Sequence, residues 1–386
     1  MEEILQENET QKPSVKAKLL AYLKALPKRY FITAFSGMAQ GLFVTLIAGT
    51  ILAQIAGWIG DNYIGNTLLY IANIAKSLMG AGIGVGIAHA LEKNKLLVFS
   101  SAVVGMVGAF AGGLVFGGTP TAIALTSGAP GNPIGAYVVT MFVIEIVSLY
   151  AGKTKLDIIL IPLGAMLLAV AGVYVAWPFI QLIDLLAKLL VITINAGEAV
   201  KIIVGVLIAV VMGILLTMPT SSAAIWIAIA RSETALSNPE VFAIAGGAAV
   251  AGCAAHMIGF AVATFKENKV SGLISQGIGT SMLQIPNIMK KPIIMLPEII
   301  ASAISGLVAV LLNIRCTDVG GGMGTSGLVG LFGVIDACSA YSIPVVNTVL
   351  GIVLCLFVIP AVVSFFASEF MRKKGWIKER DMLLPD

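Results

Sequence analysis

Apolar positions along this chain fall in long blocks separated by short polar or charged breaks, not in stripes or alternations. Phe31 to Trp58, Leu96 to Phe116, Ile158 to Trp177, Ala199 to Leu216, Val241 to Thr264, Ile293 to Leu312 and Val345 to Phe366 are such blocks. A helix needs ~20 apolar residues to cross the hydrocarbon of a bilayer, so each block predicts a transmembrane helix. Asn66 to Leu91 is also apolar, but Lys76 interrupts it and Gly80, Gly82, Gly84 and Gly86 follow at every second position. One span fits this segment, and so does an interfacial helix followed by a short crossing. Tyr137 to Tyr150 is a shorter block with Glu145 inside it. Val15 to Leu26 (VKAKLLAYLKAL) sets Lys16, Lys18 and Lys24 around a leucine stripe. That is the pattern of a basic amphipathic helix lying on a membrane surface, or of a helical lead-in to the first span. Pro178 to Leu190 is amphipathic as well.

Other segments are too broken to span and too apolar to be solvated loops. Gly117 to Pro133 (GGTPTAIALTSGAPGNP) holds three prolines and four glycines, which no continuous helix tolerates. Gly320 to Val334 is glycine-dense in the same way, and Met218 to Ala230 opens on a proline and three hydroxyls. Non-helical backbone at membrane depth persists only where it is covered by protein or lines a cavity. Gly117–Pro133 and Gly320–Val334 are therefore expected to be re-entrant hairpins. The expected fold class is an all-α integral membrane protein of about ten transmembrane helices, with re-entrant hairpins and amphipathic interfacial helices. Residues 1–30 form a tail and amphipathic helix, 31–370 a single transmembrane domain, and 371–386 a second tail.

Composition removes the alternatives. Of 386 residues, 58% are hydrophobic and only 11% charged, against about 25% charged in an ordinary soluble domain. Mean hydropathy is +0.98. The net charge of +4 comes from basic residues in short loops and near the ends, among them Arg372, Lys373 and Lys374. This is the bias of cytoplasmic loops and not a nucleic-acid footprint, so both termini are expected in the cytoplasm. The four cysteines lie in or beside apolar runs with no CxxC pair, so neither disulfide nor zinc is expected. The polar first thirty residues do not read as a cleavable signal peptide.

Between Ala245 and Gly330 most of the residues able to do chemistry sit in apolar, glycine-rich sequence: His256, Gln276, Thr280, Ser281, Gln284, Asn287, Thr325 and Ser326. A polar group in hydrocarbon is costly without a partner, so the stretch reads as the wall of a polar cavity. Four Thr-Ser pairs, Thr126-Ser127, Thr220-Ser221, Thr280-Ser281 and Thr325-Ser326, each stand by Gly or Pro at a helix break. Freed backbone groups and a short-tethered hydroxyl can hold a solute there; hydroxyls also cap or back-bond their own helices. Ser127, Asn132, Thr220 and Ser221 are candidates on that basis. Neutral amides suit a hydroxyl-rich solute better than an ion. His256, Glu145 and Glu298 are intramembrane ionisable groups that could carry a proton or a ligand, although Glu298 lies just past Lys290 and Lys291 and could reach the interface. Asp318 and Asp336 flank the GGGMGTSG run and could shape its mouth. The run lacks a Gly-Lys-Ser/Thr ending, so no ATP site is expected. No catalytic residue, metal ligand set or cofactor motif is evident.

Longer motifs carry a resemblance. GCAAHMIGFAVATFKENKVSGLISQGIGTSMLQIPNI, GGGMGTSGLVG, KTKLDIILIP and LTMPTSSAAI resemble the stand-alone IIC-type membrane proteins of the bacterial phosphotransferase system, a group that includes perfringolysin-regulator-like relatives. The resemblance runs from Phe31 to Phe366. It implies a homodimeric, sugar-permease-like protein of a bacterial plasma membrane. The substrate, a sugar or related polyol, would be carried by an elevator-type movement of the part holding the hairpins. The Gly-Ile-Thr-Glu motif of glucose-type relatives is absent, so their detailed chemistry does not transfer. The chain has no phosphoryl-accepting residue of its own, and any phosphotransfer is expected to need separate IIA and IIB proteins. The alternative is a membrane sensor that binds a solute and regulates gene expression without net flux.

Overall fold

The computed structural model describes residues 26–115, 131–218 and 222–384. The N-terminal amphipathic helix, most of the Gly117–Pro133 hairpin, and Ser127, Thr220 and Ser221 lie outside these residues. The described chain is all-helical, with no strand, as expected. Its main helices are α1 (Leu26–Ile59), α2 (Tyr63–Ser77), α3 (Met79–Ala90), α4 (Lys95–Ala109), α5 (Pro133–Val147), α6 (Asp157–Asn195), α7 (Glu198–Thr217), α8 (Ser222–Ala230), α9 (Pro239–Ala263), α10 (Phe265–Ile274), α11 (Pro292–Leu311), α12 (Val329–Ala340) and α13 (Val345–Lys373).

Six of these, α1, α6, α7, α9, α11 and α13, are long and apolar enough to cross a bilayer. The α2–α3 pair makes a seventh if it crosses as one bent unit, its two halves meeting at 53°. The expected ten would need the shorter apolar helices α4 and α5 and the Ser326–Ala340 segment to cross as well. Helix α6 differs from expectation: the span ending at Trp177 and the amphipathic segment after it form one helix of 39 residues running through Pro178. A proline removes one backbone N–H, which neighbouring groups in a membrane helix can offset. At ~1.5 Å per residue α6 is roughly 58 Å long, more than a bilayer core needs.

Small residues decide how closely the helices approach. Gly80 to Gly86 alternate because α3 is gripped on two faces. Gly82 and Gly86 lie against the backbone carbonyls of Gly41 and Gly37 on α1, and Gly80 and Gly84 against those of Gly105 and Ser101 on α4. In the C-terminal half α9 is the central helix. In its most apolar segment 89% of residues are buried, against 28% in α6, α7 and α13. Its run AGGAAVAGCAA presents almost no bulk on any side, so neighbours can close on it all round. The lipid side falls to α6, whose Leu163, Leu167, Val170 and Tyr174 are exposed at helical spacing. The two halves meet where α8 and the 319–329 loop pack on Met38, Leu42, Leu46 and Ile47 of α1 and Met141 and Ile144 of α5.

Candidate functional site

Three interruptions of the C-terminal helices converge at that seam. The first follows Thr217, where α7 ends; Met218 is already extended. The second begins after α10 with a wide turn over Ser275–Gly279. Thr280 is then extended, its hydroxyl accepting the Met282 N–H at 3.1 Å, and a tight turn covers Ser281–Gln284. The third is Gly320 to Leu328, made of tight turns with positive φ at Gly324, Gly327 and Leu328. Gly324 is required where it stands: φ is +56°, and a β-carbon would lie 2.7 Å from the Cys253 backbone.

Hydroxyls tie these breaks together. Thr325 Oγ1 donates to Gly277 O at 2.6 Å, and Ser222 Oγ to Gly322 O at 2.7 Å. Between them and α1 lies a cavity of about 260 Å³, lined by Ile32, Ser36, Ala39, Phe43 and Ile47 on one side and by Leu216, Ser222, Ala223, Thr280, Met282, Met323 and Ser326 on the other. Among the described residues its polar side chains are hydroxyls, set in an otherwise apolar lining. Immediately behind this wall, Thr217 Oγ1 is 2.8 Å from His256 Nδ1, 2.9 Å from Ser281 Oγ and 3.2 Å from Gly213 O. Thr217 has one proton for three neighbours. With that proton on Gly213 O, His256 and Ser281 both donate to Thr217, and His256 Nε2 remains a bare acceptor. Among the described residues no hydrogen-bond partner meets Nε2. Gly213 makes room for the ring, since a β-carbon there would lie 2.4 Å from His256 Cδ2.

The sequence candidates thus divide. Thr280 and Ser326 line the cavity, Ser281 and His256 stand behind its wall, and Thr325 fastens one break to another. Asn132 instead caps α5, accepting from Ile134 N and Gly135 N at 2.9 and 3.1 Å. Gln276, Gln284 and Asn287 form an amide relay with its own partners. Gln276 Nε2 donates to Thr264 Oγ1, Gln284 Nε2 to Gln276 Oε1, and Asn287 Nδ2 to Gln284 Oε1, at 2.8, 2.9 and 2.8 Å. Gln276 also donates to Gly272 O at 3.0 Å, and the other two reach a strap formed by the C-terminal tail: Gln284 donates to Met382 O at 3.0 Å and Asn287 to Leu383 O at 2.9 Å. Asn268 clamps the same tail through Met382 O and Leu384 N, and Met382 is fully buried. Thr217, Ser222 and Ser36 were not singled out from sequence. Thr217 abuts a proline-containing break, a signal that could have found it; Ser36 is one hydroxyl in an ordinary apolar run.

Charged groups sit toward the ends. Glu145, a candidate carrier by sequence, pairs with Arg29 at 2.8 Å. Burial and Arg29 both lower the nearby Lys93 ammonium from its ordinary value, and Glu145 raises it. Asp318 pairs with Arg231. Asp318, Asp336 and Thr317 line another cavity of about 310 Å³ at the other end of the glycine loop.

The strap provides a pH test. Asp381 Oδ2 accepts from Lys291 Nζ at 2.7 Å and from the Lys378 N–H at 2.6 Å. Partial burial raises the Asp381 carboxyl, but these bonds and charges leave it below its ordinary 3.8. A depressed carboxyl contributes stability above its ordinary value and loses it as pH falls through the folded one. Exchange protection of residues 378–384 is therefore expected to be flat from neutral pH to roughly pH 5 and to fall in stronger acid. The expected loss is about 1 kcal/mol or less, because the pair is partly solvated. Asp381→Asn should remove the pH dependence; an unchanged acid transition would show that the pair does not hold the strap.

A multi-pass helical protein whose broken helices converge on a hydroxyl-lined cavity between two packed halves has the build of a membrane carrier. The chain belongs to the phosphotransferase system EIIC family, which matches residues 32–384. No curated protein and no solved structure matches it significantly. It is a permease-type membrane component of that system in the general sense.

Proposed function

We propose that this protein moves a small hydroxyl-rich solute, a sugar or related polyol, across a bacterial plasma membrane, with both termini in the cytoplasm. The observation that carries this reading is the cavity where Ser222, Thr280 and Ser326, each from a different helix break, face Ser36 of α1. Hydroxyls can both donate and accept, which suits a ligand that does the same. Among the described residues neither a carboxylate nor an ammonium lines this cavity, so a neutral solute is the better fit. Ser281, Thr217 and His256 hold the wall from behind, and His256 Nε2 is a spare acceptor that a modest rotation could turn to the solute.

The placement of the cavity supports alternating access. It lies between the two halves, and the glycine loop carries the Asp336 cavity at its other end. Sliding the C-terminal half along α1 would pass the hydroxyl wall from one side of the membrane to the other, an elevator-type step. Separate IIA and IIB proteins would supply any phosphoryl transfer, and a homodimer would anchor the stationary half. The chain needs no cofactor for these roles.

The test is uptake of labelled hexoses and hexitols into proteoliposomes holding the purified chain, with binding followed in parallel by thermal shift, since a bound ligand stabilises the folded state by mass action. Saturable uptake of at least one such solute, competed by its unlabelled form, is the expected result. Binding without flux, with or without IIA and IIB, would favour the sensor. Absence of both would remove the reading.

A further inference from the structure

One buried ionisable group has no place in the mechanism above. Glu298 lies near the start of α11, just past the tight turn Pro292–Met295, fully buried, and neither carboxyl oxygen has a hydrogen-bond partner among the described residues. Lys290 and Lys291 do not draw it to the surface: Lys291 is held by Asp381 of the strap. Glu298 faces α9 at Gly259, where a β-carbon would lie 3.0 Å from Glu298 Cγ and 2.5 Å from Ser364 Oγ of α13. The glycine thus lets a carboxyl and a hydroxyl close together onto the α9 backbone. Ser364 is also fully buried and unpartnered.

This contact belongs to a longer polar seam. Glu298, Ser302 and Ser305 recur at i, i+4 and i+7, on one stripe of α11, and all are fully buried. Ser364 and Ser368 do the same one turn apart on α13. Ser302 and Ser368 bond to their own helices, but Ser305 has no partner. Charged neighbours on the packed elements are engaged elsewhere. On α13 Glu369 meets Lys266, and Arg372 meets Glu267; on α7 Lys201 meets Glu198. On α9 the titratable group nearest in sequence is His256, whose Nδ1 is turned to Thr217. An ionised carboxylate in the seam would have no counter-charge among the described residues and only its own backbone N–H to offset it, whereas a neutral acid next to hydroxyls can stay.

We propose that Glu298 is a proton-binding site, exchanging one proton with water through the Ser364–Ser368 side of the seam as the helices around Gly259 part and close. On release the carboxyl O–H breaks and the proton passes to water, leaving a carboxylate; on uptake the reverse occurs. No other reactant is needed. Movement of α9 against α11 and α13 is thereby linked to protonation. This goes beyond the solute reading and stands or falls separately from it.

Infrared difference spectra of the full chain in lipid vesicles test it, with dicyclohexylcarbodiimide labelling mapped by mass spectrometry as a second probe of the protonated acid. The wild type is expected to show a protonated-carboxyl C=O band that disappears reversibly as pH rises within the folded range and is missing in Glu298→Gln. Ser364→Ala should shift that band. Carbodiimide labelling at Glu298 should fall roughly tenfold per pH unit above the midpoint, a readout that needs no variant if Glu298→Gln does not fold. A band or labelling rate indifferent to pH would make Glu298 a fixed structural acid and overturn the proposal. So would the absence of any Glu298-dependent band or label.

Discussion

Ser326→Phe is expected to abolish solute binding and uptake while leaving a folded protein. Ser326 is only partly buried and its side chain borders the 260 Å³ cavity, so an aromatic ring there enters space the solute would use and not the packed core. The gentler Thr280→Ala/Ser326→Ala pair removes two hydroxyls without filling anything. A hydrogen bond contributes about 1 kcal/mol net, so the pair should weaken binding roughly 30-fold, with only a modest fall in Tm from loss of the Thr280 cap on the Met282 N–H. Gln284→Ala should do the opposite. It leaves Gln276 and Asn287 short of partners in the buried relay and removes one of the two donors to Met382 O, so it lowers Tm more than it lowers affinity. Titrating the solute against the three variants separates the cavity from the relay. Wild-type affinity in Ser326→Phe would place the solute elsewhere.

Gly252→Val is expected to prevent folding. A β-carbon at Gly252 would lie 1.9 Å from Ala209 O and 2.5 Å from Ala209 Cα. The obstacle is the α7 backbone, which cannot rotate aside as a side chain can. Overpacking alone costs about 1–3 kcal/mol; here two helices at the centre of the C-terminal half must separate, so the loss should exceed that range. Gly57→Ala, on an exposed face of α1 with nothing within 4 Å, should be neutral or slightly stabilising, by up to about 1 kcal/mol. Size-exclusion profiles and thermal melts in detergent check both. A monodisperse Gly252→Val protein with a wild-type melt would mean that α7 and α9 do not pack as closely as described.

The same two helices show what periodicity cannot convey. Both are apolar all round, and hydropathy treats them alike, yet α9 is enclosed and α7 is largely exposed. Side-chain volume separates them, because a run of Ala and Gly can be approached from every side while Val, Ile and Leu cannot. The alternate glycines of α3 were open to two readings in the sequence. They became intelligible once α1 and α4 were seen to grip opposite faces of one helix. In the polar stretch after Ala245, the sequence showed that many groups needed partners but could not say which. Two of them, Gln284 and Asn287, bond to carbonyls of Met382 and Leu383, about a hundred positions away.

By itself the sequence determined the solvent, the helical class, the approximate limits of most spans and the places where helices break. Those properties depend on local composition: an apolar block must hydrogen-bond its own backbone, and glycine or proline interrupts it wherever it stands. Only the tertiary structure decided which breaks meet, that Thr280 and Ser326 share a cavity with Ser36, that the amide relay serves the C-terminal strap, and that Glu298 is enclosed without a partner. Each of these is a contact between residues far apart in the chain. Its energy depends on distances that no local pattern records.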